Sequence, residues 1–515
     1  MSYNGFMRLG IDFGTTRTVV AVADRGNYPV AGFHGESGEA YLWQPSVVAA
    51  QGGELAYAWD AEARLGTPGW FFLRSVKRLL SSAGPESAVR VGEIEVPALQ
   101  LLTGYLSHLR QCIFKQSNLE LRRGEKLEAW IAVPANANSN QRFLTLEAFR
   151  RAGFMVLGMI NEPSAAGIEY AQRYAPKSGF SRRECLVVYD LGGGTFDASV
   201  ISMKERSHEI LGNEGISELG GDDFDAILLE MALERVERTE PLSENPRYLL
   251  LEECRRQKES LHPNTRKITI DLSVALEGAG EVMLAADEFA RRSAPLIKRA
   301  MAAMDEAVHR SLTGSENPWE EISAIYLVGG ACDMPVVGKM MRERYGRKVR
   351  RSPYPYAATA IGLAILADSR AGFSLKERFT RHFGVWREGD SGRQVVFDPI
   401  FPKGTPLPAT GAAPLVEIRA YEPAHTIGHY RYLECSQLSE DSQPAGDLTP
   451  WDEIFFPLDP SMRDEQRWDL ASIRRSDSVR NQQIEERYEC DAGGIIRVTI
   501  TNLTAGYRRT YRLRS

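Results

Sequence analysis

RLGIDFGTTRTVVAVA, residues 8–23, places β-forming residues on both sides of a Gly14-Thr15-Thr16 turn. Two apolar, β-branched runs joined by so short a turn read as a hairpin that opens a sheet. The same plan returns in LVVYDLGGGTFDASVISM, residues 186–203. There Asp190 closes the first run, Gly192-Gly193-Gly194-Thr195 make the turn, and Asp197 lies just inside the second run. A third glycine turn, Gly329-Gly330-Ala331, follows the apolar run AIYLV at 324–328. WIAVPA at 130–135 supplies another strand. Between these runs, apolar residues recur at helical spacing over 97–118, 138–151, 162–174, 222–237, 246–261 and 286–312. Strands alternating with helices as far as residue 370 predict an α/β domain over 1–370.

After Ala371 the texture changes. AGFSLKERFTRHFG, residues 371–384, reads as a polar linker. Proline and turn residues then become dense, and short β runs such as IIRVTITN replace the long helical periods. A β-sandwich over 385–515 is expected. One stretch, 461–487, is highly charged and reads either as a solvated helix or as a flexible insertion.

The chain has 515 residues, of which 43% are hydrophobic and 25% charged, enough to bury more than one core. A net charge of −6 argues against a general nucleic-acid binder, which carries a strongly basic face. Six cysteines are scattered with no C-x-x-C pair, so reduced, buried thiols are expected. The first residues carry no apolar signal core, and no run reaches the ~18–20 apolar residues of a membrane span. A soluble, cytoplasmic protein is the expectation, without nucleic-acid or membrane partners.

The glycine turns carry the chemistry. None is a Walker A loop or a dinucleotide fingerprint. Glycine still lets backbone N–H groups approach an anion without a Cβ in the way, and neighbouring threonines add donors. An aspartate at the end of a buried strand repels phosphate unless a cation stands between them. Asp12 and Asp190 therefore read as partners of Mg²⁺, which binds through one or two carboxylates, waters and phosphate oxygens. A single Asp-x-Gly-Thr turn is equally well a tight hairpin and nothing more. Two copies, each strand–Asp–Gly–Thr–strand, point to phosphate.

These hairpins and the later Gly329-Gly330 turn resemble the phosphate and adenosine loops of the actin, sugar-kinase and heat-shock ATPase superfamily. Further stretches resemble the DnaK-type, seventy-kilodalton heat-shock chaperones in particular. Val133-Pro134-Ala135 with Asn138, Gln141 and Arg142 is similar to their VPAxFNxxQR segment. Ile160-Asn161-Glu162-Pro163-Ser164-Ala165-Ala166 is similar to INEPTAA, and Leu219-Gly220-Gly221-Asp222-Asp223-Phe224-Asp225 to LGGEDFD. Lys77-Arg78-Leu79 stands where the family carries its KRLIG lysine. The resemblance runs collinearly over about residues 7–370 and implies an actin-like, two-lobed ATPase domain followed by a β-sandwich.

The resemblance also implies roles. Thr15, Thr16, Gly193, Gly194 and Thr195 would hold the β- and γ-phosphates of ATP or ADP, Gly14 and Arg17 would also bind the nucleotide, and Mg²⁺ would sit on Asp12 and Asp190. Lys77 and Glu162 would position the attacking water, Thr195 would help, and Asp197 would orient that water or accept its proton. Such work is positioning and electrostatics, the main needs of phosphoryl transfer. Gly221, Arg255, Lys258, Glu259, His262, Gly329, Gly330, Ala331 and Asp333 would line the adenosine side. Pro134 and Arg142 would report nucleotide state to the next domain.

The pattern breaks in places. The family carries Glu where Arg255 stands and Ser where His262 stands. Many members place arginines beside adenine at the positions of Glu259 and Asp333, and Tyr356 replaces an aspartate. Arginine stacks its planar group on a base and a carboxylate does not. Weaker adenine binding, another base, or compensation by other side chains all remain open. The linker is polar where the family's is apolar.

Phe401-Pro402-Lys403-Gly404-Thr405-Pro406 and Asp491-Ala492-Gly493-Gly494-Ile495-Ile496 resemble segments of the family's peptide-binding sandwich. The sequence ends at Ser515, before a helical lid would follow, so fast peptide exchange is expected. Three readings follow. One is an ATP-hydrolysing, chaperone-like protein that binds unfolded or extended polypeptide, with a co-chaperone or nucleotide-exchange partner. The second is a nucleotide-dependent scaffold with little hydrolysis. The third is a small-molecule kinase or filament former.

Overall fold

The computed structural model describes residues 6–35, 39–80, 83–84, 86–122, 124–174, 180–389, 393–451, 453–464, 468 and 470–512. The chain divides into two compact units. The first comprises Met1–Ser81, Glu86–Asn136 and Thr145–Leu375, and the second Ser82–Pro85, Ala137–Leu144 and Lys376–Ser515.

Two sheets organise the first unit. In one, Phe6–Phe13 pairs antiparallel with Arg17–Val22 and parallel with Lys126–Val133, which is followed outward by Met155–Asn161. In the other, Phe180–Leu191 pairs antiparallel with Phe196–Glu205 and parallel with Ile322–Val328. The plan is the same twice: a hairpin whose first strand also takes a parallel neighbour from far along the chain. Both hairpin turns are the Asp–Gly–Thr segments, so two like loops come from two like sheets.

Helices Glu162–Tyr174 and Ala358–Ala367 fill the space between these sheets. The fit is close. A Cβ on Gly10 would fall 2.2 Å from the carbonyl oxygen of Ala360, and one on Gly362 only 1.8 Å from that of Ala165. Only glycine permits helix Ala358–Ala367 to lie against both its sheet and its partner helix. On the far side of the second sheet, helices Gly221–Arg235, Glu244–Glu259 and Ala286–Ser311 cover a core that includes Tyr189, Phe196, Phe224 and Met304.

In the second unit, one antiparallel sheet runs Gln394–Phe401, His382–Gly389, Ile427–Leu438, Pro444–Pro450, with Ile454–Pro457 also on the third strand. The other runs Leu415–Tyr421, Ile484–Cys490, Ile496–Asn502, Tyr507–Arg512. Every second residue of Ile484–Cys490 and Ile496–Asn502 is buried, the period of a strand with one face inward. The apolar ones among those inward residues share a core with Phe383, Tyr432 and Phe456 of the first sheet and with Trp451 just beyond its strand Pro444–Pro450, which makes a sandwich.

The charged stretch 461–487 is not a helix among its described residues, and 465–467 and 469 lie outside them. It holds short 3₁₀ turns at Pro460–Met462, Leu470–Ser472 and Asp477–Val479, and from Ile484 it is strand. Asp459 and Ser476 accept hydrogen bonds from the N–H groups of Ser461 and Ser478, local bonds that compete with a continuing helix. Within 371–384, Ser374–Lys376 adds an edge strand to the six-stranded sheet of the first unit, and His382 already begins the next strand. Among the described residues no helix is long and apolar enough to cross a membrane.

Candidate functional site

The two Asp–Gly–Thr turns face one another. In the first, Gly14 N–H donates to the Arg17 carbonyl (3.1 Å), and in the second Gly192 N–H donates to that of Thr195 (3.0 Å). A Cβ on Gly193 would lie 2.1 Å from Thr16 Oγ1, and one on Gly194 would lie 2.7 Å from Thr15 Oγ1. The turns touch across a gap that any larger residue would fill. The third turn joins them: Gly329 has φ +85° and a Cβ there would stand 2.5 Å from Asp190 Oδ1. Helix Gly221–Arg235 starts against the same loop, with Gly221 and Asp222 N–H groups donating to the carbonyls of Gly192 (2.9 Å) and Gly193 (2.8 Å).

Lys77 enters from the short helix Val76–Leu79 and is 5% exposed. Its Nζ donates to Glu162, the first residue of helix Glu162–Tyr174. Asp12, Asp190 and Asp197 surround this pair closely enough to act on one another. Burial pushes the Asp12 carboxyl up to about 7, against the pull of Lys77 and with the push of Glu162. Burial lifts Asp197 to about 7 as well, with Glu162 adding and Asn136 N–H, Lys77 and Thr195 opposing. Asp190 is driven well above the carboxylate range by burial, then by Glu162, Asp197 and Asp12. Burial works against the Lys77 ammonium, yet Glu162, Asp12 and Asp190 hold its pKa above the usual value.

Four acids around one lysine leave negative charge to be met. Asp12 Oδ1 is buried without a hydrogen-bond partner. An all-oxygen set of this kind fits a small hard cation. Among the described residues no three His, Cys, Asp or Glu side chains are grouped to hold a metal by themselves. A cation here would thus take the rest of its shell from water and phosphate, the usual habit of Mg²⁺.

The cleft is lined on its inner side by Asp12, Gly14, Thr15, Thr16, Lys77, Glu162, Asp190, Gly193 and Thr195. On the outer side it is lined by Arg17, Gly221, Arg255, Lys258, Glu259, Gly329, Gly330 and Ala331. Lys258 is buried and committed: its Nζ donates to the Gly221 carbonyl (2.6 Å) and pairs with Asp225 (2.6 Å). Arg255 pairs with Glu252 and lies 3.6 Å from Glu62. Arg17 pairs with Glu259 at 2.5 Å. His262 and Asp333 are not among the lining residues; His262 is exposed and Asp333 pairs with Arg351. Pro134 follows strand Lys126–Val133 in the first unit. Arg142 belongs to the second unit, where its guanidinium is buried and lies 3.5 Å from the Gly493 carbonyl.

Sequence reasoning missed the residues that brace this cleft. Arg78 donates from Nε and Nη2 to the Gly194 carbonyl (3.0 and 2.8 Å) and pairs with Asp223 (2.6 Å). Arg74 pairs with Asp222 (2.6 Å), Asp225 (3.0 Å) and Glu252 (3.3 Å). The adjacency of Arg78 to Lys77 was the available signal. The cleft holds only about 100 Å³, below the ~300–1,000 Å³ usual for a ligand site. A nucleotide-sized ligand would fit only with the walls further apart, and two lining residues, Arg17 and Glu259, pair with one another. A larger cavity of about 750 Å³ lies at the other end of strand Phe6–Phe13, around Arg8, Asp24 and Arg370.

Known proteins resemble this chain. The family model for Hsp70 protein matches residues 86–379. The chaperone protein DnaK of Thermotoga petrophila is 28% identical over 491 residues, 88% of this chain and 76% of that protein. The chaperone protein HscA homolog of Colwellia psychrerythraea is 28% identical over 378 residues, 70% of this chain and 58% of that protein. DnaK of Mycoplasmopsis pulmonis is 29% identical over 417 residues, covering 78% and 65%. With an actin-like ATPase domain, a sheet-rich C-terminal region and a family match over more than half its length, the chain belongs to the Hsp70 family as a divergent, chaperone-like, ATP-binding member.

Proposed function

We propose that this protein binds ATP with Mg²⁺, hydrolyses it slowly, and uses the cycle to change how its β-sandwich holds extended or unfolded polypeptide. The observation that carries the reading is the meeting of two Asp–Gly–Thr turns with Lys77 and Glu162 in one cleft. The backbone N–H groups of Gly193 and Gly194 and the hydroxyls of Thr15, Thr16 and Thr195 hold the β- and γ-phosphates. Asp12 and Asp190 would hold the cation. A bound Mg²⁺ supplies positive charge to the phosphate oxygens. Lys77 stabilises charge on the γ-phosphoryl group, and with Glu162 it sets the attacking water in line. Asp197 takes that water's proton as the new P–O bond forms and ADP leaves. Arg78 keeps the Gly192–Thr195 loop in register by its two bonds to Gly194.

Extended peptides bind sandwich domains by backbone hydrogen bonds and side-chain pockets, a mode open to the second unit. Pro134 and Arg142 carry the nucleotide signal, a cytoplasmic setting fits the related chaperones, and a co-chaperone or exchange partner serves the cycle. The domain limits 1–370, 371–384 and 385–515 belong to the same reading. Turnover of ATP by the purified chain tests it: a slow rate that Lys77→Ala abolishes is expected, and an unchanged rate in that variant overturns the mechanism. A second reading, a nucleotide-dependent scaffold with little hydrolysis, draws on the small cleft and the ion pair in its lining. Binding of ATP without turnover would favour it.

A further inference from the structure

Glu259 and Asp333 hold the positions where the resemblance implies arginines beside the base, yet neither stands alone. Asp333 pairs with Arg351 away from the cleft lining, whereas Glu259 pairs with Arg17 inside it. The Arg17 guanidinium lies 4.3 Å from the centre of the Trp43 ring, a stacking distance. Trp43 is itself held: its carbonyl accepts from Trp59 Nε1 (3.3 Å), and its ring meets Tyr356 edge-on at 5.9 Å between centroids. Tyr356 in turn lines the cleft with Arg17, Gly330 and Ala331. A guanidinium donates hydrogen bonds in its own plane. The Glu259 bond therefore engages an edge of the group, and Trp43 backs it from one side.

We infer that the other face of Arg17 is the seat of the purine base, with Glu259 acting as a positioning residue and Trp43 as the backing. This inference rests on the nucleotide reading above. The base stacks on a planar cation supplied by the first phosphate hairpin, so one hairpin grips both ends of the nucleotide: Thr15 and Thr16 the phosphates, Arg17 the base. Seating the base requires the Arg17–Glu259 pair to swing with the parting walls and close again over the ring. Arg255 and Lys258, the other cations of the outer cleft, are tied to Glu252 and Asp225. Purines gain more than pyrimidines because they overlap the guanidinium over a larger area.

The test is equilibrium binding of ADP, CDP and inorganic tripolyphosphate, each with Mg²⁺, to the full chain and to Arg17→Ala, Arg17→Lys and Glu259→Gln. Arg17→Ala and Arg17→Lys are both expected to weaken ADP about tenfold, the size of one stacked cation, and to shrink the preference for ADP over CDP. Tripolyphosphate binding stays within about twofold, which also reports that the variants are folded. Glu259→Gln gives a smaller loss for ADP alone, because it loosens the guanidinium without removing it. Equal losses for ADP and tripolyphosphate would overturn the inference and make Arg17 a phosphate contact. Wild-type affinity in Arg17→Lys would overturn it too, since charge alone would then suffice. A wild-type chain that binds neither ADP nor tripolyphosphate would remove the nucleotide reading itself.

Discussion

At the scale of single residues, the ion pair of Lys77 with Glu162 decides most. Glu162 is 9% exposed and shares its surroundings with three further carboxylates. Removing one partner of a buried pair strands the other charge, at a cost of about 3–5 kcal/mol. Lys77→Met should therefore lower stability to denaturant as well as abolish turnover, and added Mg²⁺·ADP should restore part of the lost stability. His208 gives a second residue-level prediction. Its ring is buried against Phe373 (5.4 Å), neither nitrogen has a hydrogen-bond partner, and burial lowers its pKa to about 4. The unfolded chain takes that proton near pH 6.5, so between about 6.5 and 4 the unfolded state binds more protons and gains. Stability is expected to fall with pH through that window, by roughly 3 kcal/mol at its lower end. His208→Phe should flatten this part of the pH–stability curve; an unchanged slope would place the acid sensitivity elsewhere. Asp12, Asp190 and Lys77 were legible because short motifs name them. The pairing of Arg17 with Glu259 was not, because the partners stand 242 residues apart and each looks like an ordinary surface charge until the hairpin and helix meet.

At the scale of elements, the hairpins were legible for a physical reason. A turn of Gly and Thr between β-branched runs has few other solutions, and the register Asp190 opposite Asp197 follows from it. Helix Ala358–Ala367 was harder to read. Its sequence ATAIGLAILA is apolar on every side because it is enclosed by sheet and helix, so no periodicity marks it. The stretch 461–487 could be read from its charge as a solvated helix or as an insertion, and its described residues form 3₁₀ turns, with Asp459 and Ser476 capping two of them, rather than a helix. The enclosed helix carries its own prediction. Gly362→Ala would drive a Cβ to 1.8 Å from the Ala165 carbonyl, and overpacking of this kind costs about 1–3 kcal/mol. Ala165 is in the helix that begins at Glu162. The variant should lose stability in urea and lose turnover together, because the helix that presents Glu162 must shift. Loss of stability with full turnover would show that Glu162 is placed independently of that contact.

At the scale of the whole molecule, the chain joins a nucleotide unit to a β-sandwich, as its family membership entails. The α/β-then-β division could be read from texture alone: helical periods stop near residue 370 and short strands take over. What the second unit binds could not be read. Strands Ile484–Cys490 and Ile496–Asn502 alternate cleanly, and the buried Glu486 is satisfied internally by Arg387 (2.8 Å) and Tyr488. The proposed cycle requires the two units to work together. ATP turnover by the full chain, with and without an unfolded peptide, measures that directly. A slow basal rate that rises when peptide is added is the predicted result. A rate no higher than that of Lys77→Ala, and unmoved by peptide, would contradict the account.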